Sequence, residues 1–144
     1  MSNEISLDSV TMSNILAVEK TILESFEQHK LPVKHHHING VYARELFIPA
    51  GTLLTGKIHN AENIAVLAQG TIRICNGEAA KVIHAPCVMV DKPGTKRMGY
   101  AETDCTFITI HRTDAVGIEA IEDELVSSTF EEYEQKRKLL GKDS

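Results

Sequence analysis

Residues 63–83, NIAVLAQGTIRICNGEAAKVI, decide the fold. Short runs rich in Val, Ile and Thr, at the period of two that a half-buried strand needs, lie on either side of Gly70 and of the Asn76-Gly77 pair. Asn-Gly between TIRIC and AAKVI is a hairpin signal, because its backbone enters tight turns whose twist suits the flanking strands. Working outward, similar runs occur at VYARELFI (41–48), near 53–59, at CVMVD (87–91), near 96–101 and at CTFITIH (105–111). Counted together they make eight candidate strands, punctuated by Pro49, Gly51, Gly70, Asn76-Gly77 and Pro93-Gly94. No helical segment separates them, which argues against βαβ units and for an antiparallel sandwich or barrel. We expect an all-β core, a double-sheet jelly roll.

The flanks follow a different period. Ile15, Val18, Ile22 and Phe26 recur at helical spacing, with Leu16 and Leu23 widening the stripe, so one amphipathic helix is expected from Ser13 to Lys30, stopped by Pro32. Ile118, Ile121 and Leu125, then Phe130, Tyr133, Leu139 and Leu140, predict one or two C-terminal helices. The expected organisation is an N-terminal helical extension (1–34), a barrel (35–113) and an acidic C-terminal helical extension (114–144).

The 144 residues suit one domain, with 42% apolar and 24% charged residues, an ordinary globular composition. Fifteen Lys and Arg against twenty Asp and Glu leave a net charge of −5, and no basic block tracks a phosphate backbone, so nucleic acid is not an expected partner. The middle segment is nevertheless basic by two charges between acidic ends. No apolar run approaches the ~18 residues of a membrane span and MSNEISLDSV has no leader pattern, so a cytoplasmic protein without a membrane partner is expected. Cys75, Cys87 and Cys105 fit neither a metal nor a redox spacing and are expected to pack in the core.

The stretch GTLLTGKIHNAENIAVLAQG (51–70) resembles the first motif of the cupin superfamily: a glycine, five residues, His-x-His, three or four residues, Glu, six residues and a closing glycine. Here the spacing is kept, but the three ligand positions hold Lys57, His59 and Asn63. The second motif resembles the run from Ala85-Pro86 through KPGTKR, where Pro93-Gly94-Thr95 matches the usual turn and the fourth ligand position falls on Arg97. The larger phrases GVYARELFIPAGTLLTGKIH and PGTKRMGYAETDCTFITIH are similar to small cupin-like proteins of phages and prophages. The resemblance implies a jelly-roll barrel with the ligand positions at its mouth, and a homodimer.

In a metal-binding cupin those positions present His and Glu donors to a transition metal. Lys57 and Arg97 do not ligate a cation while protonated, so no metal or other cofactor is expected. Converging in one concavity, Lys57, His59, Asn63 and Arg97 suit a small anionic ligand, a carboxylate or phosphate, with Arg97 as a two-pronged grip. The alternative role of Arg97 is to hold the barrel end through a nearby acid such as Glu102. Phe107, Thr109 and His111 share one face of the last strand, so His111 joins the expected ligand-binding set.

Three functional readings follow: a binding protein for a small anion, without an assigned catalytic residue; a metal-dependent isomerase, lyase or oxygenase with a divalent transition metal on His59, His111 and His35; and a scaffold for protein partners. His35-His36-His37 is expected to be a polar loop after Pro32, and Glu62 an exposed turn acid. His84, Tyr42, Tyr100 and Arg44 receive no role.

Overall fold

The structure is a computed structural model and describes residues 12–25, 30–77 and 80–139. The helix α1 (Met12–Ser25) is followed by β1 (Val33–Ile38), β2 (Val41–Ile48), β3 (Leu53–Thr55), β4 (Ile58–His59), β5 (Asn63–Gln69), β6 (Thr71–Cys75), β7 (Lys81–His84), β8 (Cys87–Asp91), β9 (Met98–Ala101) and β10 (Cys105–Arg112). The chain then forms α2 (Ile118–Leu125), β11 (Val126–Ser127) and α3 (Phe130–Leu139). A five-stranded sheet runs β1-β2-β10-β5-β8, a four-stranded sheet runs β3-β9-β6-β7, and β4 pairs with β11. Every pairing is antiparallel, as the absence of crossover helices requires.

The period of two builds the core. In β5, Asn63, Ala65 and Leu67 are buried while Ile64 and Ala68 are exposed, and the register Leu67↔Phe107 and Leu67↔Cys87 carries the same face across the sheet. Leu46, Ile48, Leu67 and Cys105 of this face meet Ile72 and Ala101 of the other sheet. Each buried Leu or Ile contributes about 1.5–3 kcal/mol relative to exposure. The hairpin expected at Asn76-Gly77 is present, with Thr71↔His84 through Ile74↔Lys81.

Two expectations are corrected. His35-His36-His37 is not a loop: VKHHHI pairs residue by residue with β2, from Val33↔Leu46 to Ile38↔Val41, around an Asn39-Gly40 turn in which Gly40 has φ 83°. An edge strand exposed along most of its length needs no apolar period, because the ladder to β2 stabilises it whatever the side chains. The run near 53–59 is two strands, broken at Gly56-Lys57, so β3 joins the four-stranded sheet and β4 pairs with β11. The N-terminal helix is described over Met12–Ser25, and the expected positions 26–29 lie outside the described residues.

The helices on either side of the barrel are tied to it. Ile15 of α1 is buried with Cys75 and Met98. The fully buried Lys96 donates to Glu19 Oε2 of α1 at 2.8 Å and to the Gly56 carbonyl at 2.8 Å, and Thr55 Oγ1 donates to the same Glu19 oxygen at 2.6 Å. At the other end, β11 lies against β4 through Val126↔His59 and Ser127↔Ile58. Asn60 donates to the Glu124 carbonyl at 2.9 Å and accepts from Ser127 Oγ at 2.6 Å. Ile121 and Leu125 pack on Tyr42.

Candidate functional site

The polar residues gather at the barrel end where β4 and β11 meet. On the inner face of the five-stranded sheet the register sets Asp91 beside Asn63, and Tyr42 beside His111. One step inward along the strands stand Arg44 and Thr109, also paired. His59 arrives from β4, and Arg97 from the turn that precedes β9.

The Asn63 amide donates from Nδ2 to His59 Nδ1 at 2.7 Å, so the neutral imidazole of His59 carries its proton on Nε2. The His59 ring stands edge-on to His111, with centroids 5.9 Å apart and planes at 81°. Tyr42 stacks with His111 at 6.2 Å on one side and with His35 at 5.9 Å on the other, and its hydroxyl meets His35 Nδ1 at 2.6 Å. Arg97 bonds Asp91 Oδ1 and lies over the Phe107 ring, 5.4 Å from its centre. Asp91, Asn63, His111 and Tyr42 are buried, while the side chains of His59 and Arg97 keep about a seventh of their surface, 15 and 14%.

Burial sets the protonation of the histidines. Desolvation, then the charges of Arg97, His111 and Arg44, lower the His59 pKa to about 4. Desolvation and Arg44 lower that of His111 to about 4. Both are therefore neutral at pH 7. Burial also lowers the Arg97 pKa to about 10, still charged at neutral pH, and burial raises that of Tyr42. Asp91 compensates Arg97. The half-buried Arg44 has no ion pair or side-chain hydrogen bond among the described residues, so its charge is the uncompensated one beside the two imidazoles.

Four of the five expected ligand-binding residues come together: His59, Asn63, Arg97 and His111. Lys57 stands apart, exposed on the link before β4 and without a hydrogen bond or ion pair to the others. Ile58 takes the buried position, which turns Lys57 outward. The expected two-pronged grip by Arg97 is also corrected, because its guanidinium already holds Asp91, whereas Glu102 pairs with Arg73. His35 reaches only the Tyr42 hydroxyl. Glu62 is an exposed turn acid, and Cys75 and Cys105 are buried and not joined in a disulfide, as expected.

Asp91 and Arg44 are the residues that sequence reasoning missed. A parity signal existed for Asp91, since it follows Cys87 and Met89 at the inward positions of CVMVD, where an acid is out of keeping with its neighbours. Arg44 holds the same relation to Tyr42 and Leu46.

The donor set does not fit a transition metal. A guanidinium stands in the cluster, one oxygen of the Asp91 carboxylate is bonded to that guanidinium, and Tyr42 separates His35 from His111. Among the described residues no group of three His, Cys, Asp or Glu is placed to surround an ion. Two surface hollows of about 600 and 520 Å³, beside Val116–Ala120 and beside Pro32–Lys34, contain neither histidine nor arginine and lie away from the cluster. No described helix is long and apolar enough to cross a membrane.

Comparison with solved structures shows the class. A cupin superfamily protein from Desulfitobacterium hafniense matches 76% of this chain and all of its own length, at 10% identity and a TM-score of 0.51. An ethanolamine utilization protein Q from Salmonella typhimurium, putative by its own description, matches 60% of this chain and 72% of its own, at 12% identity and 0.51. A DMSP lyase from Ruegeria pomeroyi matches 61% of this chain and 49% of its own, at 13% identity and 0.52. The fold is therefore a cupin-type jelly roll with an N-terminal helix and C-terminal helices. No family model matches the sequence, and no curated protein does.

Proposed function

We propose that this chain is a cupin-fold binding protein for a small anion, held at the barrel end beside β4 and β11 by Arg44 with His59, Asn63 and His111 around it. The carrying observation is the charge of Arg44, uncompensated among the described residues, beside two neutral imidazoles, in a part-buried cluster where a positive charge attracts an anion more strongly than it would in water. Arg97 has a positioning role, because its bond to Asp91 and its stacking on Phe107 fix the wall of the site. The donor set favours binding over metal-dependent chemistry. The phage or prophage setting rests on the likeness of residues 40–59 and 93–111 alone.

The test is thermal unfolding with acetate, gluconate and inorganic phosphate at constant ionic strength. A ligand at a hundred times its Kd stabilises the fold by about 2.7 kcal/mol. Arg44→Gln abolishes this stabilisation and Lys57→Gln leaves it intact. Equal stabilisation of wild type and Arg44→Gln, or of neither by any anion, overturns the proposal.

A homodimer is supported by the outer face of the five-stranded sheet. Val88 and Val90, each 68% exposed, stand there beside Ile64, 43% exposed, through the pair Ile64↔Val90. A two-fold axis sets like against like, which the uncharged patch of Ile64, Val88 and Val90 tolerates.

A further inference from the structure

Two buried acceptors in the cluster say more about the ligand than its charge does. Asn63 Oδ1 and Asp91 Oδ2 belong to side chains only 5 and 6% exposed, and neither has a hydrogen-bond partner. Buried polar atoms are almost always paired, since an unpaired one forfeits the hydrogen bonds it had in water. The neighbours do not supply the donors. His59 Nδ1 lies 3.7 Å from Asp91 Oδ2, but it already accepts from Asn63 Nδ2. Arg97 is bonded to the other oxygen of Asp91. The lone cation and the two orphan acceptors therefore ask different things of one molecule, a negative charge and a donor.

We propose that the ligand is a polyhydroxy monocarboxylate, a sugar acid in chemical terms, with its carboxylate on Arg44 and two of its hydroxyls donating, one to Asp91 Oδ2 and one to Asn63 Oδ1. The proposal rests on the anion reading above and adds the donor. The layout sets the size. Arg44 is on β2 and Asp91 on β8, three strand spacings apart in the sheet order, which is about 14 Å along a flat sheet and less in a curved one. The long arginine side chain spans part of that distance, and a chain of about four to six carbons is the length we propose for the remainder. A simple fatty acid carries the charge without the donor, and a neutral polyol carries the donor without the charge. Each leaves one demand of the site unmet.

Calorimetry on the full chain with gluconate, hexanoate, threonate, butyrate and sorbitol separates the two readings. Gluconate and threonate are expected to bind about ten- to a hundredfold more tightly than hexanoate and butyrate, the discrimination expected when a site built to bond a hydroxyl meets an analogue without it. Arg44→Gln weakens all four acids, while Asn63→Leu removes the advantage of the hydroxy acids. Equal binding of hydroxylated and plain acids, still dependent on Arg44, overturns the sugar-acid proposal and leaves the anion reading standing. Sorbitol binding as tightly as gluconate overturns the anion reading, and no binding by any of the five overturns both.

Discussion

Acidification should loosen this protein well above the pH at which ordinary carboxylates are protonated. His59 and His111 have folded-state pKa values of about 4, against 6.5 for a free histidine. Between those values the unfolded chain binds protons that the folded chain refuses, so stability falls as pH falls through 6.5 and levels off below 4. At pH 5 each group disfavours the folded state by about 2 kcal/mol, and at pH 7 by about 0.2, so the pair removes about 3–4 kcal/mol over those two units. That is a large share of the stability of a small domain. Urea unfolding at half-unit steps from pH 7.5 to 4.5 reads it directly. The double variant His59→Gln, His111→Gln should show a flatter slope across the same window. Equal slopes in wild type and double variant would refute the account of two buried neutral imidazoles.

Removing the acid that binds the buried Lys96 should be costly: Glu19→Ala leaves an ammonium 1% exposed without its counter-charge, and a loss of about 3 kcal/mol is expected in chemical denaturation. Gly70→Ala should abolish soluble expression or lower Tm sharply, because its Cβ would lie 2.2 Å from the Asp104 carbonyl oxygen at a φ of +93° that side chains disfavour. Charging the outer sheet face with Val88→Lys and Val90→Lys should convert a dimer to a monomer in sedimentation equilibrium while circular dichroism stays unchanged. An unchanged mass would remove that face as the interface.

Much of the fold was legible because local signals agreed with the tertiary outcome. VYARELFI, NIAVLAQ, TIRIC and CVMVD are strands over the same residues that their apolar runs occupy. Asn39-Gly40 is the same dipeptide as Asn76-Gly77 and marks the β1–β2 turn, yet its signal was masked by three histidines on a strand that buries almost nothing. The two-residue β11 was illegible for a related reason. Its pairing with β4 depends on the docking of α2, whose Ile121 and Leu125 find Tyr42 some eighty residues earlier in the chain.

The sequence by itself determined the alternation of the strands, the turns that join them and the residue types at the four motif positions, because these depend on near neighbours along the chain. It also determined that two of those positions carry cations in place of metal donors. Only the tertiary structure decided which cation is available. Burial of Ile58 turns Lys57 to solvent, Asp91 arrives from β8 to neutralise Arg97, and Arg44 is left uncompensated among the described residues, beside two imidazoles that burial and its own charge keep neutral. Charge compensation and desolvation depend on distances across the barrel, and spacing along the chain does not contain them.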